Sequence, residues 1–495
     1  MNRLSLNTLS EAPSTVERPG FDPRQLSIGV VHFGPGAFHR AHQAEFLDRL
    51  CARDPSWGIC GVSLRSTGVR DSLLPQNGLY TLAILDQTIR YRVIGSLREV
   101  LVAPADADAV FERLTRPEVR LVTSTVTEKG YCLGLDGRLD FEHPDIAHDL
   151  VHRESPRSLI GFLVGGLHRR RQAGVPPFVL IPCDNLPNNG GRLKAAVLAL
   201  AARRDVGLAG WIERSMACPA TMVDAITPAS DDALRNRVAV ATGLCDEWPV
   251  QREAFAQWVI EAHEHADGPD WAGIGVTLTT DVAAFERAKL WLLNGSHSTL
   301  AYWGSIKGCK TVDEAIVDPE LASFVRRYMR DDIAPLLAAS AARPDSPSVS
   351  LATYIDAILE RFHNPAIRHQ LAQIAIDGSQ KLPVRVVAPL REALACGADV
   401  SRFAFPLAAW LRFLRHAVLS GRPIADPMAD QLHDLARSFH DDIGDIDKAL
   451  FFDTVFAPDL AALPRLRHAM VKAYSRLLND EIAGQGRGGC RRRLT

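Results

Sequence analysis

Residues 28–42 read "IGVVHFGPGAFHRAH". "SIGVVHF" (Ser27 to Phe33) is a short apolar run rich in β-branched residues, which predicts a buried strand. Gly34 and Gly36 follow at once, and Phe38, Ala41, Ala44 and Leu47 then recur at helical spacing. A strand, a tight glycine turn and a helix in that order let backbone N–H groups approach an anion closely. A pyrophosphate suits such a turn, with Gly34, Gly36, Ala37 and Phe38 as candidate contacts. His39 stands where a third glycine or alanine would complete the usual fingerprint. The same residues would also build a tight turn that holds nothing.

Working outward, "GICGVSL" (58–64), "RLVTSTV" (120–126), "PFVLIPC" (177–183) and "GIGVTLT" (273–279) read as further strands, separated by helical patterns. That alternation predicts a largely parallel, doubly wound sheet of Rossmann type. Beyond residue 280 the character changes. Residues 318–339, 349–362, 365–376, 405–419 and 465–482 all carry apolar residues at helical spacing. The expectation is an α/β Rossmann-type N-terminal domain over residues 1–280 and an all-α C-terminal domain over 281–495.

The composition excludes several function classes. The chain has 495 residues, 23% of them charged, and a formal net charge of −2, so no electrostatic excess draws it to nucleic acid or to an anionic membrane. No window approaches a membrane span, and the N-terminus lacks the apolar core of a signal peptide. Nine cysteines lie scattered without a CxxC pair. They predict reduced thiols in a cytoplasmic protein and no structural zinc. The tail "GQGRGGCRRRLT" (484–495) reads as a frayed, solvated end.

The second strand ends "VSLRSTGVRD", with Ser63, Arg65 and Ser66 ahead of any carboxylate. A ribose-binding acid is usual there. Arg65 could meet a 2′-phosphate, favouring NADP, or be an ordinary solvated arginine.

"AKLWLLNGSHS" (288–298) has the apolar density of a buried helix, interrupted by Lys289, Asn294 and His297. On an α-helix these positions, i, i+5 and i+8, fall within an arc of about 140°. All three can then look into one cleft. Oxidising a secondary alcohol needs a base, donors for the developing alkoxide and a nicotinamide. Lys289 in apolar surroundings could be that base, Asn294 a donor, and His297 a partner for a neighbouring hydroxyl, with no metal. The bland alternative is a snorkelling lysine, an asparagine ending the helix before Gly295 and a satisfied core histidine. "CDNLPNNG" (183–190) offers Asn185 as a second donor, and "TMVDAITP" (221–228) offers Asp224; both stretches also suit plain loops.

In combination, "GPGAFHRAHQA", "TVTEKGY", "CDNLPNNG", "MVDAITP", "KLWLLNGSHS" and "RFHNPAIRHQLAQIAIDGSQKLPVR" resemble the polyol-specific long-chain dehydrogenase family, from about residue 28 to 385. The resemblance implies an NAD(P)-dependent, metal-independent secondary alcohol dehydrogenase, cytoplasmic and monomeric, acting on a sugar acid or polyol. It implies that Lys289 is the catalytic lysine and that Asn185 and Asn294 bind the oxyanion. His297 positions substrate, Glu286 helps proton passage, and Asp224 and Lys381 contact substrate. NAD is the expected cofactor, with NADP left open. Within the family, "VTEKGYC", "LLNGSHS" and "IAIDGSQKLPVR" look closer to fructuronate reductases, whose hexuronate carboxylate Arg368, Lys381 and Arg385 could meet. The runner-up pair is mannitol and fructose, and a nicotinamide-binding sensor is the non-enzymatic alternative. Ala225 and Ala256 stand where the family usually has arginine, and Gly68 near where mannitol dehydrogenases carry a ribose-binding aspartate.

Overall fold

The computed structural model describes residues 1–134, 136–263, 268–340 and 350–488. The chain forms two compact units, Met1–Ala283 and Ala284–Thr495.

The first unit is built on five parallel strands. They are β1 (Ile28–Phe33), β2 (Gly58–Ser63), β3 (Leu97–Val102), β4 (Leu121–Ser124) and β5 (Val179–Pro182), in the order β3-β2-β1-β4-β5. Alternate side chains point to opposite faces. Val31, Phe33, Val62, Val122 and Leu180 join one buried cluster, while Val30, Ile59, Leu121, Val179 and Ile181 join another. Both faces of β1, β2, β4 and β5 are covered, which is why these four strands read as nearly continuous apolar runs, whereas β3 keeps Arg98, Glu99 and Val100 partly exposed. The strand order reverses between β1 and β4, so the carboxyl ends of those two strands flank the crevice where such sheets bind ligands.

Not every expected strand belongs to this sheet. Ala272–Ile274 is a 3₁₀ turn, so only Thr277–Thr279 of the 273–279 stretch is extended. That strand closes a separate three-stranded sheet in which Gln257–Glu261 lies between it and Thr221–Asp224. Tyr80–Leu85 and Arg90–Ile94 form an antiparallel pair in a four-stranded sheet with Val250–Glu253 and Val16–Glu17. The alternating pattern of Arg90–Ile94 is weak because Arg90, Tyr91 and Arg92 keep some exposure.

The second unit is helical. Its first helices are α1 (Val282–Ala288) and α2 (Gly295–Ile306), with Lys289–Asn294 between them in a π-helical turn. Then come α3 (Leu351–Phe362), α4 (Gly378–Leu382), α5 (Ser401–Leu419) and α6 (Pro464–Gly488). The helix expected over 365–376 is confined to Leu371–Ile374. Arg368 takes a φ of 48° there, and Gln370 makes a β-bridge to Thr311. Helix α5 lies against α2 and α6. Its Arg412 is buried and bonds Glu481 of α6 through Nε (3.1 Å) and Nη2 (2.5 Å), and Asp441 through Nη1 (2.5 Å). Of the tail, residues 484–488 continue α6, and 489–495 lie outside the described residues. Among the described residues no helix is long and apolar enough to cross a membrane.

Candidate active site

In the first unit, Gly34 has a φ of 90°, and a Cβ on it would lie 2.2 Å from the Thr125 carbonyl oxygen. Glycine is therefore required where β1 turns. Thr125 Oγ1 donates to the Gly34 carbonyl at 2.7 Å, joining the ends of β1 and β4. Beneath the turn, His32 bonds Thr123 Oγ1 at 2.7 Å and Thr125 Oγ1 at 3.0 Å through its two ring nitrogens. His39 stacks on it with 3.4 Å between ring centroids. Burial pushes His32 down to about 3 and holds His39 well below the usual imidazole range, so both stay neutral. Gly36 is exposed and caps the helix Ala37–Ala41, and Phe38 stacks on His42 at 5.1 Å. A bare, exposed glycine ahead of helix N–H groups fits a dinucleotide pyrophosphate.

Arg65 is 85% exposed and ion-paired to Asp145 at 3.3 Å. A Cβ on Gly68 would meet the Trp248 ring at 3.0 Å, so an aspartate in that place would have to displace the indole.

The loop after β5 is more than a loop former. Asp184 is buried and accepts from the Thr127 N–H at 2.7 Å and from the Tyr131 hydroxyl at 3.0 Å. Burial pushes its carboxyl up to about 6. Asn189 is also buried and donates to the Asp184 and Thr221 carbonyls at 3.0 and 3.1 Å. Between these two anchors Asn185 is exposed. Asp224 is buried at the end of Thr221–Asp224, and Ala225 follows half-buried.

In the second unit, Gly295 donates its N–H to the Leu290 carbonyl, the i→i+5 bond of a π turn. The helix therefore continues through Gly295, with a φ of −64°, and Asn294 does not end it. A π turn takes one extra residue, so Asn294 and His297 fall roughly at the i+4 and i+7 places relative to Lys289. The arc expected for a plain α-helix narrows, and the three groups share one face. Lys289, Asn294 and Glu286 are half-buried, between the fully buried Ala288 and Trp291–Leu293.

A second π turn, Pro383–Val387, packs against the first. A Cβ on Gly295 would lie 2.9 Å from the Arg385 carbonyl oxygen. Arg385 donates to Ser298 Oγ at 3.2 Å. His297 is 5% exposed, with its ring against Phe362 (4.7 Å) and edge-on to His369 (5.4 Å). Burial, then His369, Arg361 and Arg385, keep it well below the usual imidazole range. Arg361 and His369 thus join the site, and the sequence reading missed both. Arg361 lies in the last turn of α3, where a cation ordinarily complements the helix dipole. Of the expected cations, Lys381 lies on α4 at 3.8 Å from Asp377, with its ammonium pushed down by burial and by Arg385. Arg368 is exposed on its left-handed turn. It is no part of the cluster around His297, and its neighbour His369 takes that place.

Comparison with known proteins agrees with both units. The mannitol dehydrogenase Rossmann domain matches residues 28–273, and the mannitol dehydrogenase C-terminal domain matches 281–478. The chain belongs to the mannitol dehydrogenase family. It is an oxidoreductase acting on CH–OH groups. It is 37% identical to the D-mannonate oxidoreductase of Escherichia coli K12, over 95% of this chain and 98% of that one. It is 38% identical to YeiQ of the same organism, named an uncharacterized oxidoreductase, over 97% of both chains. Among solved structures, the Pseudomonas fluorescens mannitol 2-dehydrogenase ternary complex with NAD and D-mannitol superposes with a TM-score of 0.81. That protein is 35% identical, over 99% of this chain and 100% of its own.

Proposed function

We propose that this member of the mannitol dehydrogenase family interconverts D-fructuronate and D-mannonate with NAD, as a cytoplasmic monomer. The observation that carries the choice of a sugar acid is the group of cations around His297. Arg361 and Arg385 both act on that ring, and Arg361 is only 7% exposed. A guanidinium held in place beside a substrate-positioning ring can meet a carboxylate with a charge-assisted, bidentate pair of hydrogen bonds. A hexuronate brings a carboxylate that fructose lacks, and Arg361, Arg385 and Lys381 are the groups assigned to it, with Asp224 on a substrate hydroxyl.

NAD, when bound at Gly34, Gly36, Ala37 and Phe38, supplies the hydride chemistry. Lys289 as an ammonium gives its proton to the carbonyl oxygen during reduction, and as an amine takes the hydroxyl proton during oxidation. Asn294 and Asn185 donate hydrogen bonds to the oxygen while it carries negative charge. His297, kept neutral, orients an adjacent hydroxyl. Glu286 passes the proton between Lys289 and water. Arg65, which is exposed and ion-paired to Asp145, is given no role in this reading, because NAD carries no 2′-phosphate for it to meet.

Ala225 and Ala256, where cations are usual in the family, favour an uncharged polyol as the second reading. Nicotinamide absorbance with D-fructuronate and with D-fructose, each with NADH and NADPH, decides between them. Faster turnover of fructuronate with NADH is expected; turnover of fructose alone would overturn the sugar-acid reading.

A further inference from the structure

Thr127 is a β-branched residue with φ 65° and ψ 166°, a region that side chains rarely tolerate. Its conformation is held by the N–H that it donates to Asp184 Oδ1. Tyr131 and Ser124 donate to the other oxygen, Oδ2, at 3.0 and 3.4 Å. All three donors belong to β4 or to the loop that follows it. The Asp184 carbonyl, in turn, accepts from Leu186 N–H at 2.9 Å and from Asn189 Nδ2 at 3.0 Å, within the loop after β5. One residue therefore ties together the two loops at the carboxyl ends of β4 and β5, on one side of the crevice where the strand order reverses. Its chain neighbour is Asn185.

We propose that Asp184 is a positioning residue, whose carboxylate locks the loop after β4 to the loop after β5 and so sets where Asn185 stands. This rests on Asn185 being a donor to the alkoxide. Donors on both oxygens, one on Oδ1 and two on Oδ2, call for a carboxylate rather than an amide, which would turn an NH₂ toward one set of them. Burial opposes the charge and pushes the group up to about 6. Above that pH both oxygens accept; below it one carries a proton and the lock loosens. The other titratable groups facing it are Tyr131, Cys183 and, beyond them, Cys218, all pushed up by burial and neutral throughout. A single protonation is therefore expected.

The test uses the full-length Asp184→Asn, Tyr131→Phe and Asn185→Ala variants, assayed for reduction of D-fructuronate and of D-fructose on both sides of pH 6. In Asp184→Asn, kcat should fall about tenfold or more, since small misplacements of catalytic groups carry losses of that order. KM and NADH affinity by fluorescence titration should stay within about threefold, as no binding contact is removed. The wild type should lose kcat as pH falls through about 6, and Asp184→Asn should lack that limb. In Tyr131→Phe the limb should move upward, because a donor that favours the charged carboxylate is gone. A wild-type kcat in Asp184→Asn, an unchanged acid limb, or a loss of NADH affinity equal to the loss of kcat would overturn the proposal. Should Asp184→Asn not fold, an unmoved limb in Tyr131→Phe would do so. Loss of kcat in Asn185→Ala but not in Asp184→Asn would fail the lock alone, whereas retention in both would fail the reading of Asn185.

Discussion

The rings of His297 and His369 meet edge to face, 5.4 Å apart at 83°. Burial, and then the nearby His369, Arg361 and Arg385, hold the His297 ring well below the usual imidazole range. In the proposed reaction His297 acts as a neutral hydrogen-bonding group. Nitrogen-15 NMR of the imidazoles should show a neutral His297 at the ordinary imidazole pKa; a charged ring would contradict the assignment.

Lys289 carries the proton in the proposed reaction, so Lys289→Met should lower kcat by a factor on the order of 10²–10⁴, the usual worth of a general acid–base group. NADH binding, measured by fluorescence titration, should survive. Turnover within tenfold of the wild type would mean that another group moves the proton.

Gly295 sits where the two π turns touch. In Gly295→Ala the new methyl group would press on the Arg385 carbonyl oxygen at 2.9 Å, and backbone atoms must give way. Overpacking of this kind costs about 1–3 kcal/mol. A lower melting temperature is expected together with a lower kcat, because Asn294 is the adjoining residue. A variant with unchanged stability would show that the π turns are not in contact.

The acid sensitivity of the first unit should owe much to His32. Burial lowers its folded-state pKa from 6.5 to about 3. The unfolded chain takes up a proton below 6.5 and the folded one does not, so this contribution is complete above 6.5 and is lost as pH falls toward 3. At about pH 5 the loss comes to about 2 kcal/mol. His32→Gln should flatten the dependence of melting temperature on pH in that window, and an unchanged slope would contradict it.

The main sheet was legible because β1, β2, β4 and β5 are buried on both faces and therefore apolar throughout. β3 and Arg90–Ile94 were not, since partly exposed strands with Glu99, Arg90 and Arg92 mimic loops. Lys289, Asn294 and His297 stood out as polar groups in an apolar run, yet nothing in the residues announced the π turn that aligns them. Arg361 was hidden by its place in the last turn of a helix. His369 was hidden by Arg368, which has the more obvious charge but a φ of 48° that leaves it on the surface while its neighbour joins the site. Asp184 looked like half of a turn-forming Asp-Asn pair, and its role depends on Thr127 and Tyr131, more than 50 residues away.

The central claim is that Arg361, with Arg385 and Lys381, reads a carboxylate on the substrate. Its most direct test is the ratio of kcat/KM for D-fructuronate to that for D-fructose, in the wild type and in Arg361→Leu. Loss of a charge-assisted bond is worth about 1.5–3 kcal/mol, or roughly tenfold to a hundredfold. The ratio should fall by that factor, with fructose reduction nearly unchanged. An equal loss for both substrates would mean that Arg361 only supports the fold of the site, and that the carboxylate is not what the enzyme recognises.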